Sequence, residues 1–473
     1  MLFNSMAYAI FLPLVFLIYW IIPHKFRWIL LLISSYYFYM SWNAKYVVLI
    51  LTTTCISYIC AILLERFDAK TMRRLILLMS LLVCLGILFV FKYYNWTMSS
   101  LSSLFKTEVK PIDLILPVGI SFYTFQTLGY VIDVYRRDIQ AERHFGIYAT
   151  FISFFPQLVA GPIERTGNLL PQIKAEHKFN YEESGYGIRL ILWGLYKKVV
   201  IADNLGLMVN KVYGAVGDYS GFSLLLATLF FSFQIYCDFS GYSDIARGSA
   251  QLLGIKLIEN FKSPYFSASI REFWSRWHIS LSSWFRDYVY IPLGGNRVSK
   301  IRNIVNTLAT FLISGLWHGA SWSFVAWGGA HGVAQIYENA FGIKKQKERD
   351  IYWWIRVFCV FCFATIVWLF FRANSMRDSM YVVRYMFSGI WYPIQYLKAG
   401  IETFGIDLRA GLRLIIIYLL PLCLFDYFSL REDIIAWIGR KRSIIRHTVM
   451  IIIVLVILLY GYYGQSTFVY FQF

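Results

Sequence analysis

Apolar runs recur from Ile10 to Leu459, each interrupted by a short polar or basic segment, and no polar half of the chain balances them. A bilayer crossing takes about 20 predominantly apolar residues. By that measure the pattern predicts spans over 7–22, 28–41, 45–64, 75–93, 112–132, 145–160, 183–206, 221–236, 303–317, 322–340, 352–372, 411–428 and 444–462. The segments 28–41, 112–132 and 145–160 are short or polar for a full crossing. The expectation is therefore an all-α polytopic membrane bundle of about 11–13 helices, some of them re-entrant. Most of 237–300 reads differently, with Asp238, Asp244, Glu272, Arg276 and Arg286 set among aromatics. In a membrane protein that composition belongs to a buried polar site or an interfacial layer. No internal repeat is visible, which weighs against a transporter built from inverted repeats.

Composition closes off the other classes. The chain is 58% hydrophobic and 15% charged, where a soluble protein carries about a quarter charged residues. Its 45 basic against 27 acidic residues give a net charge of +18, which in a soluble protein suggests nucleic acid. Here the basic residues cluster between apolar runs, as in Lys25 and Arg27, in Arg66, Lys70, Arg73 and Arg74, and in Arg440, Lys441, Arg442 and Arg446. That is the pattern of cytoplasmic loops. It puts 23–27, 65–74 and 429–446 inside and both termini outside. The first apolar run has no signal-peptide features and reads as retained. Cys359-Val-Phe-Cys362 has redox spacing but lies in lipid-span composition, so small membrane-core thiols are the better reading.

Three histidines sit where ionisable groups are costly. Trp274, Trp277, Leu281, Trp284, Phe285 and Tyr288 recur at helical steps, and His278 shares their face. An amphipathic interfacial helix accounts for the spacing; a helix carrying an imidazole into a dry aromatic pocket is the sharper alternative. Leu312-Ile-Ser-Gly-Leu-Trp317-His318-Gly319 puts a second histidine at the end of a span. Gly315 and Gly319 suit close helix packing, and a glycine after the histidine also lets substrate near the ring. A neutral imidazole there suits a general base toward a hydroxyl attacking an ester or thioester. His331, in Gly328-Gly-Ala-His-Gly332, is a third candidate. No i, i+4 pair or Cys/His cluster points to zinc, so no metal is expected.

Two further segments are polar within apolar surroundings. Tyr236-Cys-Asp238-Phe-Ser240-Gly-Tyr-Ser-Asp244 reads either as a helix end whose side chains cap backbone donors, or as carboxylates orienting an imidazole or arginine. Phe155-Pro-Gln-Leu-Val-Ala-Gly-Pro-Ile-Glu164-Arg165 reads as a broken span with an ion pair at its exit.

Phe155–Arg165, Tyr236–Ala246, Trp274–Gly295 and Ser314–Gly332 together resemble the membrane-bound O-acyltransferase family. Within it they are similar to the bacterial branch of alginate and peptidoglycan O-acetyltransferases. The resemblance implies one membrane-embedded acyltransferase domain over 1–473 in the bacterial cytoplasmic membrane. Its catalytic part would be 150–335, around a transmembrane tunnel. It implies His318 as the catalytic histidine and His278 as the second active-site position. Trp317, Asp238, Ser240, Asp244, Glu164, Arg165 and His331 are supporting candidates. Acetyl-CoA would supply the acyl group from the cytoplasm for an extracytoplasmic glycan, aided by an extracytoplasmic partner protein. After the last span, the tail 463–473 ends Phe468-Val-Tyr470-Phe-Gln-Phe473. It reads as an interfacial anchor or as a relay that receives the acyl group on Tyr470. The alternatives are transfer of D-alanyl or another acyl group from a carrier protein to teichoic acid, and a non-enzymatic glycan or lipid translocator.

Overall fold

The computed structural model describes residues 1–106, 110–159, 161–343, 349–464 and 468–469. Those residues form helices joined by turns, with no strand among them. Six helical stretches among them are long and apolar enough to cross a membrane: His24–Arg66, Lys70–Phe105, Phe222–Leu252, Ile351–Arg372, Leu408–Ser429 and Ser443–Tyr460. At 43 residues, His24–Arg66 exceeds what one crossing needs. The helix Ser443–Tyr460 buries none of its residues, and its Ile451, Leu455, Leu458 and Leu459 are exposed. A helix apolar all round and unburied by protein is a lipid-facing one. Within His24–Arg66, Thr54 and Ser57 each donate to the carbonyl four residues back, which satisfies their hydroxyls inside the helix.

The chain forms two compact units. The first comprises Met1–Ile191 and Tyr242–Glu259. In it Tyr8 Oη donates to Ser249 Oγ at 2.8 Å and Trp20 Nε1 donates to Leu252 O at 3.1 Å, which ties the helix Met6–Ile21 to the end of Phe222–Leu252. Arg73, expected in a basic cytoplasmic loop, is buried instead. Its guanidinium donates to Leu64 O and, at 2.6 Å, to Tyr135 O, closing two helix C-termini. The span expected over 112–132 begins later, as Ile120–Arg136, and the short 28–41 lengthens to His24–Asn43. The expected break near Pro156 is present: Phe145–Ser153 ends and the one-turn Phe155–Leu158 follows. Gln126 and Gln157 both donate to Phe151 O, at 2.7 and 2.8 Å, so the interrupted backbone keeps its partners.

Beyond that break, Glu164 is buried. Its carboxylate accepts the Ile258 N–H and the Asn168 amide, both at 2.6 Å, in place of the expected pair with Arg165. Burial pushes the carboxyl up to about 7, while Asn168, the Ile258 N–H and Arg247 pull the other way. Asp244 pairs with Arg247 at 3.4 Å.

The second unit comprises Leu192–Gly241 and Asn260–Phe473. The helix Phe222–Leu252 runs unbroken through Tyr236–Ala246, so those residues do not end it. The reason is electrostatic: Asp238 is buried against the ammonium of Lys198, which comes from another helical segment, and needs no helix terminus to be stable.

Candidate active site

His278 lies at a break in what the spacing predicts as one helix. The helix Ile270–Arg276 starts on Ser269, whose Oγ accepts the Glu272 N–H at 3.0 Å. The Glu338 carboxylate accepts the N–H groups of Ile270 and Arg271 at 2.6 and 3.1 Å. A carboxylate on the first free N–H groups fixes where the helix begins. After Trp277 the chain turns left-handed at His278 (φ 44°, ψ 55°) before the helix Ile279–Phe285. That conformation costs a residue with a Cβ about 1–2 kcal/mol. It is held by Asn260, whose carbonyl accepts the Ile279 N–H at 2.9 Å and whose Oδ1 accepts the Ser280 hydroxyl at 2.7 Å.

The turn takes His278 off the apolar helix face and encloses it fully. Phe239 meets the imidazole edge-on, with ring centroids 4.6 Å apart at 87°. Burial pulls the imidazole down to about 3, so it is neutral at physiological pH.

His318 is the last residue of the helix Lys300–His318. That helix packs on Trp322–Ala340 through glycines: a Cβ on Gly315 would overlap Phe324 O, and one on Gly328 would overlap Phe311 O. Gly319 does not open the ring to substrate as its position suggests. It is extended, and the Phe324 ring occupies the space a Cβ would need. His318 is buried among Trp317 at 4.9 Å, Trp327 at 4.9 Å and Phe371 at 5.4 Å between ring centroids. The His278 and His318 rings lie 6.4 Å apart at 62°. Trp277, Trp327 and Trp368 are also buried, and their indole N–H groups have no acceptor among the described residues.

His331 belongs to the same aromatic cluster in a different role. Its Nδ1 accepts the Trp274 N–H at 3.3 Å, and Phe273 lies parallel to it at 6.0 Å between centroids. It braces the helix Ile270–Arg276 through Phe273 and Trp274.

Among the described residues Asp238 meets a lysine and a backbone N–H, with no imidazole or arginine on its carboxylate. Its Oδ1 accepts from Lys198 Nζ at 2.6 Å, and Lys198 also donates to Asp203 at 2.7 Å, all three groups being buried. Its Oδ2 accepts the backbone N–H of Val469 at 2.7 Å. Phe468 is fully buried, 5.8 Å from the Phe239 ring that packs on His278. Ser240 Oγ is buried with no partner among the described residues. Glu164, Arg165 and Asp244 belong to the first unit, and Tyr470 lies outside the described residues.

Lys198, Asp203, Asn260 and Glu338 escape the motif reading. Lys198 was legible as an ammonium inside the apolar run 183–206, since an ionisable group at that depth marks function by default. Asn260 and Glu338 act through main-chain geometry and leave no spacing to find. Among the described residues no group of three His, Cys, Asp or Glu is placed to hold a metal.

The family model of the membrane-bound O-acyltransferases matches residues 143–376, a range that contains both histidines. The chain is 34% identical over 423 residues to the peptidoglycan O-acetyltransferase of Helicobacter pylori, covering 82% of this chain and 80% of that protein. It is 37% identical over 417 residues to the probable alginate O-acetylase AlgI of Azotobacter vinelandii, covering 86% and 82%. A teichoic acid D-alanyltransferase of Streptococcus thermophilus matches over a shorter stretch, 33% identical over 244 residues and 48% of this chain. With its multiple apolar helices and its relatives matched over most of their length, this multi-pass membrane chain belongs to the membrane-bound O-acyltransferase family and is an acyltransferase.

Proposed function

We propose that this protein moves an acetyl group from cytoplasmic acetyl-CoA to an extracytoplasmic glycan, with His318 as general base. The observation that carries the reading is the placement of two buried imidazoles, His318 and His278, 6.4 Å apart within one aromatic enclosure. The printed activities of the relatives, O-acetylation of peptidoglycan and of alginate, support the glycan acceptor. His318 takes the proton of the attacking hydroxyl as its oxygen bonds to the acyl carbon. The carbon–sulfur bond then breaks, and the proton passes from His318 to the leaving thiolate. His278, neutral, donates its N–H to the acyl oxygen as negative charge builds there. The indole N–H groups of Trp277, Trp327 and Trp368, which have no acceptor among the described residues, are further donors in a dry site, where each is worth more than in water.

The first acceptor hydroxyl is that of Tyr470, which passes the acetyl group to an extracytoplasmic partner protein and so to the glycan. Support comes from the two residues before it: Val469 is held on Asp238, and Phe468 packs on Phe239 beside His278. Both termini are extracytoplasmic in this reading. His318→Ala is expected to abolish glycan acetylation while the protein still accumulates in the membrane, as read by mass spectrometry of the isolated glycan; normal acetylation in that variant contradicts the assignment. The match to a teichoic acid D-alanyltransferase supports a second reading, D-alanyl transfer from a carrier protein to teichoic acid. Supplying each donor to purified protein separates the two.

A further inference from the structure

We infer that Asp238 is a docking site for main chain, and that it holds the C-terminal segment in register beside His278. Three contacts of the second unit bear on that segment. Where the helix Ser443–Tyr460 ends, Tyr460 O accepts from Asn204 Nδ2 at 3.0 Å. Two residues on, the Tyr462 N–H donates to Val199 O at 2.9 Å. Val199 lies in the π-helical turn Tyr196–Ala202, whose wider winding frees carbonyls for outside donors. Asn204 also reaches Val199 O and Val200 O in that turn. The third contact is the Val469 N–H on Asp238 Oδ2.

The chemistry of the third contact is specific. Lys198 is shared between two carboxylates, Asp203 and Asp238. A buried carboxylate oxygen is costly unless a donor meets it. Asp238 Oδ1 meets Lys198 Nζ, and Oδ2 meets the Val469 N–H through a charge-assisted bond of 2.7 Å. Because the bond is to backbone, Asp238 reads the position of the chain rather than the identity of a side chain. It leaves Phe468 against Phe239, and Phe239 against His278. Asp238 is thus a positioning residue. Its consequence for turnover rests on the relay reading of Tyr470, whereas its hold on the tail does not.

The test uses the full-length protein in detergent, with chymotrypsin cleavage after Phe468 followed by intact mass. Asp238→Asn and Asp203→Asn make the same change, carboxylate to amide, on the same lysine. In Asp238→Asn the amide oxygen turns to Lys198 and its NH2 faces the Val469 N–H, so the tail loses its acceptor. Its release, with the rest of the chain intact, is expected to rise roughly ten- to a hundred-fold, the worth of one charge-assisted bond. Asp203→Asn is expected to release the tail at the wild-type rate. Equal release from both variants, or no increase in Asp238→Asn, overturns the inference. Hydrogen exchange of the Val469 amide in the unmutated protein is a second measure: slow exchange supports the dock, and exchange at the rate of a free peptide overturns it. Tail release in Asp238→Asn with acetyl transfer at the wild-type rate supports the dock and sinks the relay.

Discussion

His278 and His318 face each other across 6.4 Å from two differently built supports, a left-handed turn and a helix C-terminus. Neither support follows from the chemistry of the ring it carries. The turn depends on Asn260 and the helix end depends on Gly315 and Gly328, so each can be disturbed without touching an imidazole.

At position 278 stability and activity pull apart. The residue has φ 44°, which glycine adopts freely and alanine does not. His278→Gly is expected to be more stable than His278→Ala, by about 1 kcal/mol. Both lose acetyl transfer by about 10²–10³-fold if the imidazole supports the acyl oxygen. Thermal unfolding and turnover on the same preparations read the two effects, and equal melting of the pair contradicts the backbone argument.

Asn260→Ala removes the acceptor for Ser280 Oγ while keeping the carbonyl that holds the Ile279 N–H. Stability is expected to fall by about 1–3 kcal/mol, the cost of stranding a buried polar group. Turnover should fall further than stability accounts for, because the turn that aims His278 loosens. Asn260→Asp, which retains the Oδ1 acceptor, should recover part of it; no recovery means the turn is held by other contacts.

Gly328→Ala places a Cβ on Phe311 O, where the helices Lys300–His318 and Trp322–Ala340 are closest. Backbone cannot yield as a side-chain tip can, so the helices must part, at about 1–3 kcal/mol. Gly329→Ala, one residue on, meets only the Leu312 side chain at ordinary contact distance and serves as the control. Comparable melting of the two variants rules out the glycine contact as what seats His318.

Glu164 gives a pH signature. Its carboxyl sits at about 7 in the folded protein against an ordinary 4.5. The folded state therefore binds the proton more tightly than the unfolded chain. Its contribution is fully present below about pH 4.5 and is lost as pH rises through about 7. Glu164→Gln should flatten the fall in melting temperature between those values, and an unchanged slope contradicts the assignment.

What the sequence made legible was whatever leaves a local mark. Long apolar runs announced the membrane helices, and His278 and His318 stood out because an imidazole in such surroundings is expensive. The helix face through Trp274, Trp277 and Leu281 was misleading. Its period is correct on either side of His278, but Asn260, outside the repeat, breaks it. Asp238 looked like the end of a helix because its partner, Lys198, lies in another segment. The basic cluster containing Arg73 has the pattern of a cytoplasmic loop, and nothing in it marks the guanidinium that closes a helix C-terminus. Contacts made through main chain, such as that of Val469 with Asp238, were invisible for the same reason.

The account turns on His318 as the base that moves an acyl group within this chain. Purified protein incubated with acetyl-CoA labelled in the acetyl group, then digested and mapped, tests it most directly. The account predicts label on the peptide containing Tyr470 in the unmutated protein, and none in His318→Ala or Tyr470→Phe. Labelling of His318→Ala at the unmutated level contradicts it.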